Sequence, residues 1–261
     1  MQATGIVDSL PLWGLYIITA ALVLLSAEVG WQLGDRVRRR HKQEKDTPVG
    51  AVVGSMLGLL AFLLAFTFGM AASRYDTRKQ LVLQEANAIG TAYLRAELLP
   101  ELQRGEIRNL LREYAAPRVR GVTWLMTPEA RAQSSALHDK LWAAAVAATA
   151  QNPDSITGGL FIQSLNDVID LDETRVTAGR NQIPDTIWVV LYIVTILTMA
   201  AMGYQFGLTG ERSWPVIILL MLVFTAVMLL IADLDRPQRG ILQVSQQALI
   251  DLVNKIGPPS P

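Results

Sequence analysis

Apolar residues run unbroken for membrane-length stretches at four places in the chain, and the segments between them show helical rather than alternating spacing. The most informative stretch is 50–90. Gly50 to Ala72 carries no charge in 23 residues, enough for a helix rising about 1.5 Å per residue to cross a hydrocarbon core of about 30 Å. Ser73-Arg74-Tyr75-Asp76-Thr77-Arg78-Lys79 follows at once, and Leu81 to Arg95 continues with no proline and one glycine. A span therefore passes without a breaker into a charged helix. Leu12 to Leu33 is interrupted only by Glu28 and Gln32, while Thr186–Phe206 and Trp214–Ala232 carry no full charge. Backbone groups in lipid must be satisfied within the segment, so each run predicts a helix.

Between the second and third runs the pattern stays helical. Leu81, Val82, Glu85, Ile89, Ala92, Tyr93 and Ala96 recur at three- and four-residue steps, and Pro100 breaks or restarts that helix. A second helix is predicted over Glu101–Ala116, with Leu102, Ile107, Leu110, Leu111 and Tyr114 on its stripe and Pro117 at its end. Thr127 as N-cap and Pro128 at the first position predict a third, running to Ala150, with Asn152-Pro153-Asp154 punctuating its end. A fourth covers about Ser155–Asn181, with Phe161, Leu165, Val168, Asp172 and Val176 near one face, and Pro184 separates it from the third span. Residues Ile241–Ile256 form a weakly amphipathic helix that would dock on the bundle or lie at the membrane surface.

The expected architecture is an all-α membrane protein, with four transmembrane helices and a helical soluble bundle inserted between the second and third. Its divisions are an N-terminal membrane pair in 1–72, the helical domain in 73–185, a C-terminal membrane pair in 186–234 and a short segment in 235–261. Residues before the first span contain no Lys or Arg, so the basic flank of a secretory signal is missing and the first helix is expected to be retained. Arg36, Arg38, Arg39, Arg40, Lys42 and Lys45 place the first short loop in the cytoplasm. That puts the helical domain outside the cytoplasm, although Arg74, Arg78, Lys79, Arg175 and Arg180 also lie within reach of a membrane end. The expected location is a bacterial inner membrane.

Zero cysteines remove disulfides, thiolate metal sites and cysteine nucleophiles. A formal net charge of zero gives no long-range attraction to nucleic acid. No nucleophile elbow, phosphate loop, dinucleotide fingerprint or zinc-protease motif occurs, so neither an enzyme nor a cofactor is expected. Of the two histidines, His41 lies in the basic loop and His138 on a helix expected to be exposed.

The second span has two adjacent faces. Gly54, Gly58, Ala61, Ala65, Gly69 and Ala72 form a small-residue arc suited to close helix packing. Ser55, Leu59, Phe62 and Phe66 form the other face, which in an oligomer could line a pore with an apolar constriction, or else meet lipid or core. Glu28 is an ionisable residue at membrane depth, either an ion or proton site or a boundary residue neutralised near Arg36. Arg74, Tyr75, Asp76, Arg78, Glu85, Asn87 and Arg95 cluster on the emerging helix, as an anion-binding vestibule or as ion pairs tying helices together. Asp167, Asp170, Asp172 and Glu173 fit neither an EF-hand nor a facial metal triad, and are expected on a solvated face, with no metal. Asp233 to Gly240 closes the fourth span as a structural anchor.

Leu64 to Lys79, Glu85-Ala86-Asn87-Ala88-Ile89-Gly90 and Asp235-Arg236-Pro237 resemble a bestrophin-like family of bacterial membrane proteins, with the likeness running from the second span to about Asp251. The two-span, soluble, two-span plan, with Tyr75, Arg78 and Lys79 ending the second span, is more distantly similar to the bestrophin anion channels. The resemblance implies a pentameric channel whose second span lines the pore, with Phe62 and Phe66 at its neck. The bestrophins' soluble part is cytosolic, opposite to what the basic first loop indicates here. The function expected is a homo-oligomeric ion channel, conducting anions first. The alternative is a non-conducting sensor or scaffold acting through the helical domain. The expected partners are the lipid bilayer, further copies of the chain and small ions.

Overall fold

The computed structural model describes residues 11–40, 49–150, 152, 154–210, 212, 214–237 and 240–259. His41, Lys42 and Lys45 of the basic loop, Pro153, Gln238 and Arg239 lie outside the described residues. All regular structure among the described residues is helical: α1 Leu12–Arg40, α2 Val49–Arg95, α3 Glu101–Ala115, α4 Val122–Leu125, α5 Pro128–Ala150, α6 Ile156–Arg180, α7 Asp185–Thr209, α8 Trp214–Asp235 and α9 Gln247–Ile256. Four helical stretches, within α1, α2, Ile156–Thr209 and α8, are long and apolar enough to cross a membrane. The chain divides into two compact units, one of residues 1–73 and 182–236, the other of residues 74–181 and 237–261. α2 is a single helix of 47 residues that contributes to both.

In the first unit α1 packs along α7 and also touches α8. The α1–α7 contact is built from small residues. Gly30 and Gly34 of α1 meet the backbone at Ala200, Tyr204 and Gly207, and Gly203 and Gly207 of α7 meet Ala27, Trp31 and Asp35. A Cβ at any of these four glycines would fall inside contact distance of a carbonyl oxygen on the facing helix. Backbones that approach so closely gain dispersion and weak Cα–H···O contacts that larger side chains would prevent. Thr19 Oγ1 and the Tyr192 hydroxyl, 2.7 Å apart, add a polar tie between the same two helices. The α7 end is closed by Gly210, whose φ of 76° supplies the left-handed cap that other residues rarely adopt. Near the end of α8, both carboxylate oxygens of Asp235 accept the Ile183 amide, at 2.9 and 3.0 Å.

The second unit is a bundle around one apolar core. Every residue of the predicted stripe on the emerging helix is buried, from Leu81 to Ala96. A 3-10 turn at Ala96–Leu98 and Pro100 then separate α2 from α3. Ile107, Leu110, Leu111 and Tyr114 of α3 are buried as the spacing predicts, but Leu102 is 83% exposed. It sits in the first turn of α3, before the helix reaches the core. Thr127 caps α5 through its hydroxyl and the Ala130 amide, 3.2 Å, and Ser155 caps α6 in the same way through Gly158, 3.2 Å. The whole predicted α6 face, Phe161 to Val176, is buried.

Two expectations are corrected here. The C-terminal helix is shorter than 241–256, and its amphipathicity is strong, because Leu249, Leu252 and Ile256 are all buried in the bundle core while Ile241 is 81% exposed. It is latched by Tyr93, whose hydroxyl accepts hydrogen bonds from Arg108 at 2.8 Å and Arg112 at 2.6 Å. Arg112 Nε also donates to the Ile256 carbonyl, 2.7 Å. His138 is partly buried against the Tyr114 ring, 5.2 Å between centroids, rather than fully exposed.

Candidate functional site

The charged residues of α2 separate into two groups once the second unit is folded. Glu85 is completely buried and its two carboxylate oxygens each face an arginine, Oε1 toward Arg118 and Oε2 toward Arg175. Arg118, equally buried, reaches Asp172 at 2.5 Å and the Ser134 hydroxyl at 3.2 Å. Asp172 also accepts Arg131 at 3.0 Å, and Arg131 pairs with Glu173 at 2.5 Å nearer the surface. Arg175 donates its other terminal nitrogen to Gln246 Oε1, 3.1 Å. The chain thus buries two acids and two arginines as a compensated network joining α2, the turn at Ala116–Arg120, α6 and the segment before α9. Buried charges persist only when paired and hydrogen-bonded in this way.

Asp172 therefore corrects the expectation of a solvated acidic face. It lies at the centre of the network, while Asp167, Asp170 and Glu173 stay outside the buried set. The Arg118 guanidinium stacks over the Tyr114 ring, 4.5 Å to the centroid. Burial raises the Tyr114 phenol well above its ordinary pKa and lowers that of His138, so both rings are neutral near pH 7.

The other α2 residues go elsewhere. Arg78 is buried and lines a cavity with Arg120 and Arg175. The Tyr75 hydroxyl reaches the Gln243 carbonyl at 3.4 Å, and Arg95 donates to the Leu160 carbonyl at 2.7 Å. Asn87 is exposed, and Arg74 is one turn before Arg78. The emerging helix thus does not gather its charges at a single point. Arg118, Asp172, Arg175, Arg131 and Gln246 are the partners that sequence reasoning missed. Arg118 and Arg175 stand 33 and 90 positions from Glu85, and nothing local to any of them signals the pairing.

On the span half of α2, both expected faces are open. Phe62 and Phe66 are 66% and 62% exposed and stack on each other, 6.5 Å between centroids. Ser55 and Leu59 are exposed on the same side. Gly54, Gly58 and Gly69 have nothing within 4 Å of a Cβ position, and Ala61 and Ala65 are exposed with them. Val53, Leu60, Leu64, Thr67 and Ala71 form the buried stripe of this helix instead. Glu28 pairs with Arg212 at 2.5 Å and accepts Gln32 at 3.0 Å. Arg212 lies between Trp31 and Trp214, at 4.5 and 4.4 Å from their rings.

No curated protein matches the chain. Among solved structures, a crystal structure of a point variant of a bacterial bestrophin homolog from Klebsiella pneumoniae is similar with a TM-score of 0.63. Its sequence identity is 14%, over 89% of this chain and 98% of that one, so the likeness speaks for the fold. The family model for the Bestrophin-like domain matches residues 20–249. That match takes in most of the first membrane-length stretch and all of the other three, and reaches the first turn of α9, and with it the chain belongs to the bestrophin-like family.

Proposed function

We propose that the protein is a homo-oligomeric membrane channel for small ions, anions first, in which the second span lines a central pore. The observation that carries this reading is the open apolar face of α2. Phe62 and Phe66, stacked and more than half exposed, stand on a membrane-length helix beside a small-residue arc with free space around it. In a ring of subunits one face would form the constriction, where a narrow apolar ring gates by dewetting, and the small-residue arc would let neighbouring copies approach. Membership of the bestrophin-like family supports the same reading.

In this scheme residues 73–185 form the soluble helical bundle inserted between the second and third spans. The basic first loop favours a bundle outside the cytoplasm, with the chain in a bacterial inner membrane. Arg74 and Arg78 would draw anions toward the pore mouth by their charge.

The test begins with the subunit count in mild detergent, by mass photometry, followed by halide flux in liposomes. A ring of about five copies that conducts, and conducts more with Phe62→Ala and Phe66→Ala, is the expected result. A conducting protein indifferent to both substitutions would remove the phenylalanines as the gate. A monomer or dimer without flux would remove the pore and leave a sensor or scaffold acting through the helical bundle.

A further inference from the structure

A cavity of about 210 Å³ opens wholly within the second unit, between α2, the turn leading into α4, α6 and the segment before α9. Its polar lining is one-signed. Arg78, Arg120 and Arg175 reach it, with Thr123, Gln243 and Gln246, and no Asp or Glu side chain among the described residues does. The charge on Arg175 is answered from behind by Glu85, which is already shared with Arg118. Arg120 is exposed, makes no ion pair among the described residues, and stands 5.6 Å over the Trp124 ring. Apolar side chains from the same elements, Leu81, Val82, Val119, Val122 and Val244, make up much of the remaining lining.

We infer that this cavity is a binding site for a small organic anion, a carboxylate on a short apolar body. Fixed guanidinium donors beside an apolar wall match such a molecule at both ends. Arg175 is held rigidly by Glu85 and Gln246, so one wall is organised before the ligand arrives, and Arg120 supplies the uncompensated charge. The volume is below that of a drug-sized pocket, which limits the ligand to a few heavy atoms beyond its carboxylate. The site is lined by residues of the second unit alone, so it stands whether or not the span half of α2 lines a pore.

The test is isothermal titration of the full-length protein in detergent with isovalerate, using isopentylamine and inorganic phosphate as comparison probes. Isovalerate should bind saturably, and at least about tenfold more tightly than the amine, which has the same body and the opposite charge. Arg120→Gln, at an exposed position, should weaken it at least about tenfold, and Ala178→Leu, which fills the cavity from α6, should abolish it. Lys79→Gln, exposed and outside the cavity lining, should leave it unchanged. Bound isovalerate should also raise the thermal midpoint of the wild type, increasingly with the logarithm of its concentration above the Kd, and not that of Ala178→Leu. The inference is overturned if isovalerate binds no better than the amine, or if both cavity variants retain wild-type affinity. Phosphate binding as tightly as isovalerate would refute recognition of the apolar body.

Discussion

Replacing Glu85 with glutamine keeps the shape of the side chain and deletes the charge that Arg118 and Arg175 share. Both arginines are buried, and the other buried acid, Asp172, is engaged by Arg118 and Arg131, which leaves Arg175 with Gln246 alone. Neutralising one partner of a buried pair costs about 3–5 kcal/mol, because the remaining charge stays desolvated. The Arg131–Glu173 pair is the internal comparison, since Glu173 is mostly in solvent, and removing its charge costs about 0–1 kcal/mol. At 1.36 kcal/mol per tenfold, the buried change corresponds to about two to four orders of magnitude in the opening equilibrium, against about fivefold at most for the exposed one. Hydrogen exchange read by mass spectrometry on the intact protein in detergent reports this directly, through peptides covering α6 around Asp172 and Val176. Glu85→Gln should speed their exchange at least about a hundredfold, and Glu173→Gln should change it little. Adding Arg175→Met to Glu85→Gln should restore part of the loss, because an apolar side chain replaces a stranded charge. Equal exchange in Glu85→Gln and Glu173→Gln would refute the claim that this network clamps α2 to α6.

Three other perturbations probe different contacts. Gly203→Ala drives a methyl into the Ala27 carbonyl and should lower the thermal midpoint and the monodisperse yield of the protein, whereas Gly58→Ala, whose methyl meets nothing within 4 Å among the described residues, should leave both unchanged. Burial holds His138 below its ordinary pKa of 6.5, so the unfolded chain takes the proton first. Its contribution is then full above about pH 6.5 and is lost as pH falls through that value toward the folded one, and His138→Gln should flatten this part of the stability profile measured by thermal melts. Arg112→Met removes the bonds to Tyr93 and to the Ile256 carbonyl, costing about 1–3 kcal/mol, and limited proteolysis should then cut before α9 sooner than in the wild type.

The helices of the second unit were legible because their cores follow ordinary helical periodicity. From Leu81 to Ala96 the sequence stripe and the buried face coincide, and caps at Thr127 and Ser155 sit where their side chains can reach the first free amides. Glu85 fell on that stripe, and this was the available signal: a charged residue on an apolar face must be paired within the core. The identity of its partners was not readable, because Arg118 and Arg175 come from other elements and each looks locally like a solvated charge. Asp172 carries the same signal, since it shares a face with Leu165, Val168 and Val176, but its acidic neighbours Asp170 and Glu173 make the whole group look exposed. The shortness of α9 escapes the sequence because 241–246 carries enough apolar residues to continue a helix, yet the segment is irregular and places Gln246 beside Arg175.

The membrane-length helices posed a different problem, and the small residues expose it. Within lipid, apolar composition no longer distinguishes inside from outside, so periodicity loses its power and only residue size hints at contact. Gly54, Gly58, Ala61, Ala65 and Gly69 make the longer small-residue arc, the alanines exposed and the glycines with nothing among the described residues within 4 Å of a Cβ, while the shorter pairs Gly30–Gly34 and Gly203–Gly207 interlock α1 with α7. The pattern marks where a backbone can come close and does not name what approaches. A glycine with a facing carbonyl already has its function inside the fold. Gly54, Gly58 and Gly69, facing open space among the described residues on a helix that also exposes two stacked phenylalanines, have no such contact to explain them. Lipid alone gives no reason for a run of small residues at that spacing, and a second copy does. Gly58→Leu therefore separates the two cases: an arc that meets only lipid predicts an unchanged subunit count, and an arc between copies predicts that the assembly falls apart while each chain stays folded.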